Sequence, residues 1–116
     1  MDEVMVVREY FAAWRRGDAK LLETLLDDHV LASGPLATVR GAHEHAASLV
    51  RSSRMFRDIA VDQVTFDGAY VLSWFRFELR SGSTVPAAHR CEVAGGVITG
   101  IEVTFDPRPL IAEQRT

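Results

Sequence analysis

Apolar residues recur at helical spacing through the first half of the chain and at strand spacing through the second. Val4, Val7, Phe11 and Trp14 make one stripe, with Arg8, Glu9, Arg15 and Arg16 opposite, so Val4 to Arg16 is expected to be a helix. Tyr10 borders that stripe, where its ring can be buried and its hydroxyl aimed inward. Gly17 suits the position just past a helix end and Asp18 suits an N-cap, so a second helix follows at once. It is expected over Ala19 to Asp28, with Leu21, Leu22, Leu25 and Leu26 turned to the core. His29 to Ala32 reads as a short strand that Ser33-Gly34-Pro35 breaks. Leu36 to Val39 is either a second short strand or a loop. Helical spacing returns over Ala42 to Met55, with Ala46, Leu49 and Val50 inward and Phe56 beyond them.

After Arg57 the pattern alternates. Ile59 to Phe66 is one strand, Asp67-Gly68 a hairpin turn, and Ala69 to Arg80 a long second strand. Ser81-Gly82-Ser83 leads to a last hairpin whose strands flank Ala94-Gly95-Gly96. Alternation puts Val71, Ser73, Phe75 and Phe77 on one face of the long strand and Trp74, Arg76 and Glu78 on the other. In the last hairpin Val85, Ala87, His89, Cys91 and Val93 share a face. A three-residue turn would set Ile101 opposite His89, with Val103 and Phe105 on the same side. A single histidine then sits in an otherwise apolar row. Helices first and a strand meander last is an α+β layout, with a curved antiparallel sheet closed by three N-terminal helices.

The chain has 116 residues, the size of one domain, so 1–116 is expected to form a single unit. Its net charge of −3 speaks against a nucleic-acid footprint, which needs a clustered basic surface. The acidic N-terminus and the lack of a long apolar run predict neither signal peptide nor membrane span. Cys91 is the single cysteine, so no internal disulfide forms and a reducing cytoplasm is the expected location. No G-x-G-x-x-G or phosphate loop occurs, and no cofactor is expected. His43 and His45 form an H-x-H pair, but residues two apart on a helix point to different sides, so no metal site is expected.

The runs V-R-E-Y-F-A-A-W-R-R-G-D, L-L-D-D-H-V, V-R-G-A-H-E-H-A and I-E-V-T-F-D-P-R-P, in this order, resemble the NTF2-like superfamily. The likeness is closest to its SnoaL-like and ketosteroid-isomerase-like branch and spans Val4 to Pro109. It implies a cone-shaped α+β barrel, often a homodimer, and a choice among isomerases, cyclases, epoxide hydrolases, dehydratases and plain ligand binders. On this resemblance Tyr10 falls where steroid isomerases hold the tyrosine that donates to an oxyanion. His89 falls where they hold a protonated aspartate, and Ser33 (or Gly34) where they hold the proton-moving aspartate. A serine is no base at neutral pH without a partner, so steroid-isomerase chemistry in its usual form is not expected. The Asp-Arg-Asp positions of the epoxide hydrolases correspond to Phe75, Phe77 and Val103, which disfavours that activity too.

The candidate catalytic residues are therefore Tyr10, His89 and Ser33. Trp14, Phe56, Phe75, Phe77, Ile101, Val103 and Phe105 are the candidate walls of a ligand pocket. Burial would keep His89 neutral, able to accept a proton or to donate its N–H to a developing oxyanion. The function expected is cofactor-free general acid/base work, as in an isomerase, cyclase or dehydratase, on a small, largely apolar molecule with a carbonyl or hydroxyl. The alternative is a non-catalytic binder or dimeric scaffold of the same fold. Trp74 on the outer sheet face suggests a homodimer through that face. Arg90 and Glu102 are expected to pair on the surface.

Overall fold

The computed structural model describes residues 1–115. Helix α1 (Glu3–Arg16) begins where the Asp2 carboxylate accepts the Met5 amide at 2.8 Å. It ends on Gly17 at φ 67°, a left-handed conformation in which a side chain would be strained. Asp18 then caps α2 (Ala19–Leu25) by accepting the Leu21 amide at 3.1 Å. Each such cap contributes about 1 kcal/mol. The two helices thus meet in the tight corner that Gly17-Asp18 implies.

The second helix is shorter than its leucine spacing suggests. It stops at Leu25, and Leu26 already opens strand β1 (Leu26–Ser33). Leu26 remains buried because an inward strand position serves it as well as a helical one. His29 therefore lies exposed in a strand rather than at a helix end, its amide bonded to the Asp27 carboxylate at 2.9 Å. Strand β2 (Thr38–Arg40) returns antiparallel to β1, so part of the 36–39 segment is a strand. The turn between them presses on the sheet, because a Cβ at Gly34 would stand 2.8 Å from Val103 Cγ1. Helix α3 (Ala42–Ser52) follows, then β3 (Asp58–Phe66), β4 (Val71–Glu78), β5 (Thr84–Ala94) and β6 (Val97–Phe105).

The six strands form one curved sheet in the order β2-β1-β6-β5-β4-β3. It stays open between β2 and β3, and it is not wholly antiparallel. β1 runs parallel to β6, with Ala32 beside Ile101 and Ser33 beside Glu102. Parallel neighbours need a long crossover, and everything between β1 and β6 supplies it. Elsewhere the antiparallel meander follows the alternation: Val71, Ser73, Phe75 and Phe77 are buried, while Leu72 and Trp74 are exposed.

The last hairpin differs from expectation in register. Ala94 pairs with Val97 across a two-residue turn in which Gly95 and Gly96 both have positive φ, the I′ geometry that matches strand twist. A bulge at Glu92/Val93 then sets His89 opposite Val103 and Cys91 opposite Ile101. The shift from the Ile101 partnership is two residues, so every side chain keeps its face.

A fourth helix, α4 (Arg108–Gln114), forms where a partly loose tail is expected, and Thr116 lies outside the described residues. Leu110 is buried, and the Glu113 carboxylate accepts the backbone N–H groups of Arg80 and Ser81, each at 2.9 Å. A short helix with little periodicity of its own is thus held by one apolar anchor and one carboxylate. No described helix is long and apolar enough to cross a membrane.

Candidate functional site

The concave face of the sheet, α1 and α3 enclose a cavity of about 120 Å³, with α4 and the 33–37 turn at its margin. Its walls include Phe77, Ile101, Val103 and Phe105, which strand alternation turns inward, together with Trp14 and Phe56. Phe75 does not reach it. Phe11 and Trp14 of α1 pack over Phe75, with ring centroids at 5.0 and 6.0 Å, and leave it fully buried one layer deeper. Leu36, Leu49, Met55 and Leu110 complete an apolar lining.

Ser33 borders the cavity, but its strand position is an outward one. Ala32 is the inward residue beside Ile101, and Ser33 accompanies Glu102 on the other face, at the edge of a second groove. No Asp, Glu, Lys or Arg is among the residues lining the cavity. The polar groups in its wall are Tyr10, Ser33, His45, Ser48, Ser52 and His89. Ser52 is already engaged, accepting from Trp14 Nε1 at 3.0 Å and donating to the Leu49 carbonyl at 2.9 Å.

Tyr10 and His89 do come together, with ring centroids 5.6 Å apart. Both are buried: α1 brings the tyrosine down onto the sheet, and inward alternation on β5 brings the histidine up. The hydrogen-bond partner of Tyr10 is a different residue. Its Oη lies 2.9 Å from Nε2 of His45, and the two rings stack at 16°. His45 belongs to the inward face of α3 with Ala42, Ala46 and Leu49. Its spacing of four from Leu49 is the signal that marks it as inward in the sequence. His43 points elsewhere, exposed and bonded to the Glu23 carboxylate, so the two histidines diverge.

Burial governs the electrostatics. It pushes His45 down to about 4. It pushes His89 down to about 3, with His45 a smaller contributor. Tyr10 is held well above its ordinary value by burial, then by the Cys91 sulfur. At neutral pH both imidazoles and the phenol are uncharged. Cys91, whose thiol burial pushes up, lies with Sγ 3.2 Å from His89 Nδ1. A protonated thiol can donate to Nδ1, which leaves the histidine's proton on Nε2. The cavity therefore offers neutral donors in a largely apolar wall, which can bind an oxygen and stabilise charge developing on it.

Comparison with known proteins agrees with this fold. A crystal structure from Kribbella flavida superposes with a TM-score of 0.85 at 22% identity, over 97% of this chain and 93% of that one. A Catenulispora acidiphila protein with a ketosteroid isomerase-like fold, solved with trimethylamine, gives 0.79 at 18% identity, over 93% and 90%. An epoxide hydrolase of Mycobacterium tuberculosis described as LEH-like gives 0.77 at 21%, over 95% and 86%. At these identities the likeness is one of fold. A search of curated proteins finds no match. The SnoaL-like domain matches residues 7–101, from within α1 to the middle of β6, and the chain belongs to the SnoaL-like family.

Proposed function

We propose that the cavity binds a small, uncharged, largely apolar molecule through one oxygen, and that Tyr10 and His89 polarise that oxygen in a cofactor-free acid/base reaction. Isomerisation, cyclisation and dehydration all fit such chemistry, because each builds charge on an oxygen that neutral donors can stabilise in a dry site. The observation that carries the reading is the convergence of two buried, uncharged polar rings, 5.6 Å apart, in a largely apolar wall that holds no charged side chain. A charged ligand would lose its hydration with no countercharge to offset the loss. The depressed values of His45 and His89 make both weak bases, so the donor role is the stronger one. The test is turnover of neutral ketones and hydroxy compounds by the wild type, by H89A and by Y10F. Loss of turnover in both variants, with the fold intact by circular dichroism, is expected; unchanged kinetics in both would sink the catalytic reading.

One observation favours the second reading, a binder without catalysis. No carboxylate lines the cavity, and Ser33 occupies an outward strand position, so a strong resident base is missing from the wall. Mass spectrometry of the purified protein separates the two. A retained, chemically unchanged small molecule supports binding, and conversion of added compounds supports catalysis.

The same proposal includes a homodimer through the outer sheet face, where Trp74 is 49% and Leu72 42% exposed. They adjoin Ala88 and Thr104 in a shallow groove across β3 to β6. A cytoplasmic location accords with a lone, free thiol.

A further inference from the structure

Tyr10 and His45 share one hydrogen bond, and two proton arrangements are open to it. In the first, the phenol donates to Nε2, so the imidazole proton sits on Nδ1. In the second, Nε2–H donates to the phenol oxygen, Nδ1 is a bare lone pair, and the Tyr10 proton is free to turn elsewhere.

The surroundings of Nδ1 separate them. That atom is sealed from solvent-sized space and has no hydrogen-bond partner, and with Ser73 Oγ it is one of two such side-chain atoms among the described residues. The first arrangement buries an N–H donor with nothing to receive it, and orphaned buried N–H groups are rare in folded proteins. The second moves the unpaired donor to Tyr10, which lines the cavity, where water or a ligand oxygen can accept it. Both arrangements leave one donor to satisfy. Only the second puts it where an acceptor can arrive.

We propose that His45 is a positioning residue of the cavity: its Nε2–H donates to Tyr10 Oη and turns the Tyr10 proton toward the ligand oxygen. The proposal rests on the reading that the cavity takes such an oxygen, and it adds a third member to the pair recognised from the strand and helix patterns. His45 does not touch the reacting atoms. It selects which of the two partners donates, and through the shared bond it makes the phenol a stronger donor toward the cavity. Tyr10 stacks on His45, His89 interacts with it electrostatically, and at neutral pH neither carries charge to compete for the proton.

Two measurements on the intact chain test it. In ¹⁵N-histidine-labelled protein without ligand, the His45 resonances, identified by their loss in H45Q, should show Nδ1 unprotonated and Nε2 protonated at neutral pH. A protonated Nδ1 overturns the proposal, whatever the cavity binds. The second uses cyclohexanone as a neutral carbonyl probe and reads its affinity and its C=O stretch by infrared difference. In the wild type the stretch should move to lower frequency. Y10F should lose that displacement and bind about tenfold more weakly, the effect of one lost hydrogen bond, while H45L, which keeps the phenol but removes the bond that polarises it, should show a smaller displacement and a smaller loss of affinity. H45Q, whose amide N–H can reach the same oxygen, should restore most of both. An H45L protein with unchanged affinity and stretch overturns the proposal. If cyclohexanone does not bind the wild type, the ligand reading of the cavity fails, while the tautomer measurement still decides the role of His45.

Discussion

The two faces of the β3–β6 sheet come from the same strands and share almost no chemistry. On the concave face β4 presents Val71, Ser73, Phe75 and Phe77; on the convex face it presents Leu72, Trp74, Arg76 and Glu78. The inner residues are buried and, where titratable, held neutral. The outer ones are tied by ion pairs, Arg76 to Asp62 at 2.9 Å and Arg90 to Glu102 at 2.7 Å, the latter as the sequence predicts. Strand geometry separates residues one position apart by the thickness of the sheet, so a buried site and a wet surface can be written into alternate letters. The inner face should therefore be costly to disturb and insensitive to salt, and the outer face the reverse.

The largest effect is expected inside. Phe75 touches Phe11, Trp14, Phe77 and His89, and F75A should destabilise the fold by about 3–5 kcal/mol in urea unfolding, through lost burial and the cavity left behind. A loss below about 1 kcal/mol would mean the layer is far looser than its packing implies.

Acid should reach the inner face next. The folded values of His45 and His89 lie near 4 and 3, below the ordinary 6.5, so the unfolded chain takes up protons first as pH falls. Their contribution to stability should be complete above about pH 6.5 and drain away as pH falls through 4 toward 3. H89L should flatten that slope while losing ligand binding. An identical slope in the variant would show that surface carboxylates, not buried imidazole, set the acid limit.

On the outer face W74K should change association more than folding. Sedimentation velocity should show the variant as a monomer where the wild type is a dimer, with monomer stability altered by under about 0.5 kcal/mol. Equal sedimentation of the two at every concentration would remove the dimer proposal. The smallest effect belongs to the exposed Arg76–Asp62 pair: R76A should lower the urea midpoint only slightly at low salt, and less as salt is raised.

Much of the fold was legible in short-range pattern because that pattern reports which side of an element faces water. The stripe through Val7, Phe11 and Trp14, and the alternation along β4 and β5, suffice to put Tyr10 and His89 inside. The Asp18 cap and the Gly17 stop are local chemistry of the same kind. Alternation also survived a wrong turn length, since a two-residue register shift leaves faces unchanged. The end of α2 was not legible, because Leu26 is buried equally well as the last residue of a helix or the first of a strand. Nor was α4, whose anchors are backbone amides at Arg80 and Ser81 that no side-chain pattern announces.

The sequence by itself determined the α+β order, the inner and outer letters of each meander strand, and a histidine and a tyrosine in an apolar wall. Only the tertiary structure decided who meets whom. Tyr10 bonds His45, thirty-five positions away, because α1 and α3 close on the same concave face. Phe75 yields the cavity to Phe77 because α1 covers it, and β1 joins β6 in parallel across the length of the chain. Periodicity is a property of neighbours along the chain. Hydrogen-bond partners and cavity walls depend on packing between elements far apart in sequence, where spacing carries no information.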